Sequence, residues 1–170
     1  MQTIIRLPKP VIAQVHGIAT AAGAQLVASC DLAISSQEAR YATPGVNIGL
    51  FCSTPMVALS RNLSNKHAMQ MLLTGDLIDA QNAYRMGLVN EVVDAEDLET
   101  KTMELAQKIA SKSPLTVAIG KEAYYRQAEL SLSEAYDYTK EVMVRNLEAR
   151  DAQEGISAFI EKRQPVWCGK

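Results

Sequence analysis

Histidine and cysteine are scarce, with two and three residues in a chain of 170. Cys30, Cys52 and Cys168 form no CxxC pair and stand beside no histidine, which argues against a structural zinc site and against a disulfide framework. No metal is expected, and a reducing intracellular compartment fits this cysteine usage. An excess of charge of one sign is also missing. Lys and Arg number 17 against 19 Asp and Glu, and no basic block stands out, so nucleic acid finds no electrostatic handle and is not expected as a partner. The apolar runs are far shorter than the ~20 residues a bilayer span needs. The opening MQTIIRLPKP is too short in apolar residues for a signal peptide and lacks the Arg/Ser-rich character of a transit peptide, so any targeting segment is expected to lie outside this chain. Acidic residues are thin in the first half: before Asp76 there are only Asp31 and Glu38, and between Thr43 and Ser64 there is no Asp, Glu or His.

What is present has an order. Val11 to Val15, β-branched and apolar after Pro8 and Pro10, predicts a buried strand ended by Gly17. Thr20-Ala-Ala-Gly-Ala24, followed by Leu26, Val27 and Ala28, predicts a tight turn opening a buried helix. Strands are expected at Leu32–Ser35, Arg40–Thr43 and Val89–Val93, with a turn at Pro44-Gly45. Thr54-Pro55 has the form of a cap followed by proline at the first helical position. Further helices are expected over Lys66–Leu73, stopped by Thr74-Gly75, and over Asp79–Met86, stopped by Gly87. Asp94 is read as the cap of a long helix with Leu98, Leu105 and Ile109 on one face. Ser113-Pro114, the stripe Leu132 to Leu147, and Asp151 to Glu161 mark three more helices. The front is thus expected to be strand-rich and the back helical, dividing at residues 1–93 and 94–170. Too few strands are visible in the front to close a sheet, so a further N-terminal portion or a partner chain is expected to cover the open edge.

The small-residue loop Thr20–Ala24 has two physical readings. Its first-turn N–H groups have no helical partner and carry the positive end of the dipole, which suits an oxyanion such as a thioester enolate. Close helix–strand packing wants the same small side chains, and the pattern alone favours that second reading. Other polar groups offer less. Asp31 is expected to cap or hydrogen-bond in the core, Glu38 to be solvated, His16 to be structural and His67 to lie in the polar start of a helix. Cys52 and Ser53 have nucleophilic side chains, yet no histidine or acid stands near them in the sequence to activate either.

Four stretches together resemble the crotonase superfamily, that is, the enoyl-CoA hydratase/isomerase family. They are PKPVIAQVHGIATAAGAQLVASCDLAI, ARYATPGVNIGL, AMQMLLTGDLIDAQNAYRMGLVNEVV and EGISAFIEKRQPVW, and the resemblance runs from Pro8 to Trp167. TPGVNIGLFCSTP and NLEARDAQEGISAFIEKRQPVW point to one subgroup within it. The resemblance implies an α/β fold with a ββα core, N-terminally incomplete here because members are longer at that end, plus a C-terminal helical region used in oligomerisation. The portion that precedes normally holds the first ββα turns, much of the CoA site and one of two oxyanion donors. It implies the other donor at Ala22, with Gly23 beside it. It also places Gln25 and Gly45 where hydratases carry their two glutamates, so no catalytic residue is assigned with assurance. Ala22, Gln25, Pro44 and Gly45 are the implied substrate-binding positions. Phe159 and Lys162 are the implied CoA contacts across subunits. For Lys162 a solvated surface lysine is an equal reading, and for Phe159 a packed ring is the favoured one.

Hydration needs one carboxylate to deprotonate water and another to protonate carbon. Gln25 takes up no proton at neutral pH, and Gly45 has no side chain. Three functions stay open at this point: an enzyme on acyl-CoA thioesters with unknown acid/base groups, a non-catalytic homologue that binds acyl-CoA or acts through assembly, and a truncated product with an incomplete pocket. The fold does not fix the reaction. The expected partners are an acyl-CoA, as substrate or ligand rather than cofactor, and further copies of the chain in a trimer or hexamer. The expected compartment is the bacterial cytoplasm or, in a eukaryote, the mitochondrial matrix.

Overall fold

The structure is a computed structural model and describes residues 1–170. It forms two compact units: Met1–Ile4 with Val11–Ala106, and Ile5–Pro10 with Gln107–Lys170. A short helix not anticipated from the sequence, α1 (Gln2–Arg6), opens the chain.

The first unit carries two small sheets. Strands β1 (Ile12–Val15), β3 (Leu32–Ser36) and β6 (Glu91–Val93) pair in parallel, in the order β1-β3-β6. Strands β2 (Ile18–Thr20) and β4 (Arg40–Ala42) pair in parallel, and β5 (Ile78–Asp79) joins β4 antiparallel. β2 and β5 escape sequence reading because three and two residues are too short for an alternation to show. Neither sheet closes on itself. Helix α2 (Ala22–Ser29) packs on β2 and on α3 (Ser53–Asn62), and α3 packs on α4 (Asn65–Thr74). α3 starts two residues earlier than the Thr54-Pro55 pattern predicts, and its N-cap, Cys52, makes no side-chain cap bond. α5 (Ala80–Met86) is capped by Asp79, whose carboxylate accepts from the Asn82 N–H at 2.7 Å. Asp94 leads into a 3-10 turn, Ala95–Asp97, and α6 (Leu98–Ala110) begins only after it. Four helices lie among the strands of this unit, so the front is less strand-rich than the apolar runs suggest.

The core of this unit joins Tyr41, Leu59, Met71 and Leu72 to a run of alanines: Ala19, Ala28, Ala33, Ala39, Ala68 and Ala83. Small side chains let helix and strand backbones approach closely, and density replaces bulk. One polar chain crosses this core. The Tyr41 hydroxyl donates to Ser35 Oγ at 2.8 Å, and Ser35 Oγ donates to the Ser36 carbonyl at 3.0 Å.

The second unit is built of α7 (Pro114–Gln127), α8 (Leu132–Leu147) and α9 (Arg150–Glu161). Ser113 caps α7 by accepting from the Thr116 N–H at 3.1 Å, and its hydroxyl donates to Asp151 at 2.5 Å. The last eight residues fold back along α9. Glu154 takes both Arg163 terminal nitrogens and the Val166 N–H. Asp151 accepts from the N–H groups of Cys168 and Gly169. Trp167 lies on Gly155, where a Cβ would come within 3.2 Å of its ring, and its Nε1–H donates to the Ser111 carbonyl at 2.9 Å.

Candidate functional site

The two predicted substrate-binding segments leave neighbouring parallel strands at the same level. Thr20, last in β2, pairs with Ala42, last in β4, and the Ala21 N–H donates to the Ala42 carbonyl at 3.0 Å. The chain then turns into α2 on one side and into a 3-10 turn, Pro44–Ile48, on the other. Parallel pairing therefore sets Ala22 beside the Thr43–Gly45 segment, which nothing in the linear sequence requires.

The first α2 backbone bond runs from the Gln25 N–H to the Ala21 carbonyl at 3.0 Å, so the N–H groups of Ala22, Gly23 and Ala24 have no acceptor in the chain. Ala22 is exposed and Gly23 half-buried, which leaves their N–H groups open to a ligand, whereas Ala24 is buried. Ala22 is not among the residues with positive φ; the unusual backbone is one residue earlier. Ala21 has φ 48 and ψ −111, a conformation that glycine adopts freely and alanine does not. Ala21 joins the end of β2 directly to the first turn of α2. Sequence reading missed this conformation because alanine carries no warning of positive φ.

Gln25 is half-buried, and its carboxamide makes no hydrogen bond within the chain. Gly45 and Pro44 are half-buried. Thr43, just before them, is fully buried, and its hydroxyl is the one enclosed side-chain polar atom without a partner. Gly75, C-cap of α4, is left-handed at φ 65 and lies close to this segment: a Cβ there would be 3.1 Å from the Pro44 Cα.

Other predicted groups fall elsewhere. Asp31 is used structurally, its carboxylate accepting from the Val11 N–H at 2.7 Å. His16 and Glu38 are exposed, and His67 is half-buried in the first turn of α4. Cys52 is buried in the core, and Ser53 donates to the Phe51 carbonyl at 3.3 Å. Lys162 and Phe159 belong to the second unit. Lys162 is exposed at the left-handed C-cap of α9, with φ 56. Phe159 is 85% exposed, which corrects the favoured reading of a packed ring, because that face of α9 has no neighbour to bury it. A cavity of about 650 Å³ lies in the second unit among α7, α8, α9 and Trp167. Its lining is mainly apolar, with Val117, Met143, Leu147 and Ile156, and Lys112, Thr116 and Asn146 also border it.

Acidic side chains whose affinity for protons is shifted also lie in the second unit. Asp151 is held at about 2 by the Ser113 hydroxyl and then by the Cys168 and Gly169 N–H groups. Glu154 is held at about 2 by Arg163 and then by the Val166 N–H. In the first unit, burial pushes the Tyr41 hydroxyl up. None of these is at the α2 N-terminus, which is left with backbone donors and no titrating carboxylate.

Comparison with known proteins gives the following. The profile of the enoyl-CoA hydratase/isomerase family matches residues 1–170. The chain is 56% identical over 161 residues to mitochondrial enoyl-CoA hydratase domain-containing protein 3 of Xenopus laevis, covering 95% of this chain and 55% of that protein. The crystal structure of human enoyl-CoA hydratase domain-containing protein 3 matches with a TM-score of 0.94 at 53% identity, over 98% of this chain and 66% of that one. An enoyl-CoA hydratase from Mycobacterium smegmatis matches with a TM-score of 0.96 at 51% identity, over 98% of this chain and 65% of that one. The chain spans just over half the length of the curated relatives it matches.

Proposed function

The chain belongs to the enoyl-CoA hydratase/isomerase family, and on that premise we propose that it binds an acyl-CoA thioester at the α2 N-terminus without hydratase-type proton transfer. The observation that carries this reading is the set of unpaired N–H groups at Ala22 and Gly23, standing beside Gln25 and Gly45 with no acid between them. A thioester oxygen placed there gains two charge-oriented donors and the positive end of a helix. The Ala22 N–H polarises the carbonyl, and Gln25 supplies a neutral hydrogen-bonding group where hydratase relatives carry a glutamate. Pro44 and Gly45 bound the other side. Lys162 is assigned to the CoA phosphates and Phe159 to the CoA surface, in a neighbouring copy of the chain.

Self-association into trimers and hexamers belongs to the same reading. α8 buries none of its residues in its own unit and exposes Leu132, Tyr136 and Met143. Apolar faces of this kind mark interaction surfaces. No helix is long and apolar enough to cross a membrane. The mitochondrial names of the relatives support a mitochondrial compartment for a eukaryotic source.

The test is calorimetric titration with crotonyl-CoA, alongside a hydration assay of the same sample. Binding with hydration at least about 10²-fold below a hydratase is expected, since each general acid or base contributes roughly 10²–10⁴-fold. Hydratase-level turnover by the unmodified chain would refute the absence of proton transfer. No binding would refute the site.

A further inference from the structure

Gly45 is the one position of the candidate site where a side chain finds no room. A Cβ there would stand 2.7 Å from the Leu50 carbonyl oxygen, 2.9 Å from Cys52 Sγ and 3.3 Å from the Leu50 carbonyl carbon. Backbone conformation does not explain the glycine, because Gly45 is not among the residues with positive φ. The atoms that fill the space belong to a closed turn. The Leu50 N–H donates to the Gly45 carbonyl at 2.9 Å, and the Gly49 N–H to the Val46 carbonyl at 3.3 Å. Gly49 is left-handed at φ 75, which lets the chain double back. Cys52 is buried in the core and begins α3. The same 3-10 segment is held by α4, where Gly75 packs against Pro44 and Asn47. Gripped by both α4 and the turn, it has little freedom to retreat from an added methyl group.

We propose that the turn Gly49–Cys52, through the Leu50 carbonyl and the Cys52 thiol, is a specificity-determining element that excludes any side chain, and therefore any acid, from position 45. The inference rests on the reading above that position 45 is where hydratase relatives carry an acid. Loss of that carboxylate is then written into the backbone path, and substituting the acid alone does not return it. The substrates left to the site are acyl thioesters whose reaction takes no proton donor or acceptor from this turn.

The experiment compares Gly45→Ala with Gly23→Ala in this chain by thermal unfolding. Both glycines lie in helical turns with negative φ, so propensity favours alanine at each. A Cβ at Gly23 meets only the Ala19 Cβ, at 3.8 Å. Gly23→Ala is expected to hold or raise Tm. Gly45→Ala is expected to lower it by about 3–10 °C, the range for overpacking in a domain of this size. The loss should shrink when Cys52→Ala removes the sulfur. A Gly45→Ala chain too unstable to purify, recovered by adding Cys52→Ala, gives the same answer. Gln25→Glu/Gly45→Glu should hydrate crotonyl-CoA no faster than Gln25→Glu alone. The proposal is overturned if Gly45→Ala is as stable as the parent, or if the double glutamate variant keeps the parental Tm and hydrates. Hydration by the unmodified chain, with Gly45→Ala destabilised as expected, would instead remove the functional premise and leave the steric block standing.

Discussion

Lowering the pH should detach the C-terminal segment of the second unit before it does anything else there. Asp151 and Glu154 anchor residues 163–170, and both are held at about 2: Glu154 by Arg163 and the Val166 N–H of that segment, Asp151 first by the Ser113 hydroxyl outside it and then by the Cys168 and Gly169 N–H groups. Once the segment is released, Glu154 returns to its ordinary value of about 4.3, whereas Asp151 keeps its Ser113 bond and recovers only in part. A depressed carboxylate contributes stability that is complete above its free value and disappears as pH falls through its folded value. Docking should therefore be independent of pH above about 5, weaken from about 4, and be lost by about 2. Near pH 3 the released form holds about one more proton than the docked form, at Glu154, so the docked-to-released ratio should fall by about a decade per pH unit there. Trp167 is the only tryptophan, and it lies in this segment against Gly155, so its emission reports docking directly. A red shift with increased acrylamide quenching is expected below pH 4, with helical circular dichroism largely kept. Asp151→Asn should show the shifted spectrum already at pH 7, because an amide cannot serve the Ser113 hydroxyl and two N–H groups as a carboxylate does. A spectrum unchanged down to pH 2, or an Asp151→Asn chain indistinguishable from the parent, would refute the assignment of the anchor.

Four further outcomes can be checked by denaturant titration. Gly75→Ala should cost about 2 kcal/mol, from the left-handed backbone and from crowding on Pro44 and Asn47. Gly87→Ala, left-handed at φ 88 but with its nearest atom 3.8 Å away, should cost about half of that. Ala21→Gly should stabilise the first unit by up to about 1 kcal/mol, as release of the strain at φ 48 outweighs the entropy glycine adds to the unfolded chain. Tyr41→Phe should cost about 1–2 kcal/mol, because it strips Ser35 Oγ of its donor in a fully buried site.

The division between sequence and structure can be traced residue by residue. Helices over residues 65–74, 114–127 and 132–147 were legible because caps, stop glycines and an apolar stripe act locally, within a few residues of where they stand. β2 and β5 were not, because a strand of two or three residues exists only through its partner. The small-residue loop was legible as a feature with two meanings. Only parallel pairing of Thr20 with Ala42 brings the start of α2 level with the Thr43–Gly45 segment. That Gln25 and Gly45 stand at hydratase glutamate positions is what the resemblance implies; the sequence itself shows only that neither residue carries an acid. That Gly45 is enclosed rather than vacant depends on Leu50 and Cys52, five and seven residues on, which a closed turn folds back against it. The exposure of Phe159 was likewise out of reach, because an apolar residue on an amphipathic helix looks the same whether its own chain covers it or not. Composition and local spacing thus determined the helices, which depend on each residue's own chemistry. Tertiary structure decided which segments meet and which positions have room, because both depend on distances between residues far apart in the chain.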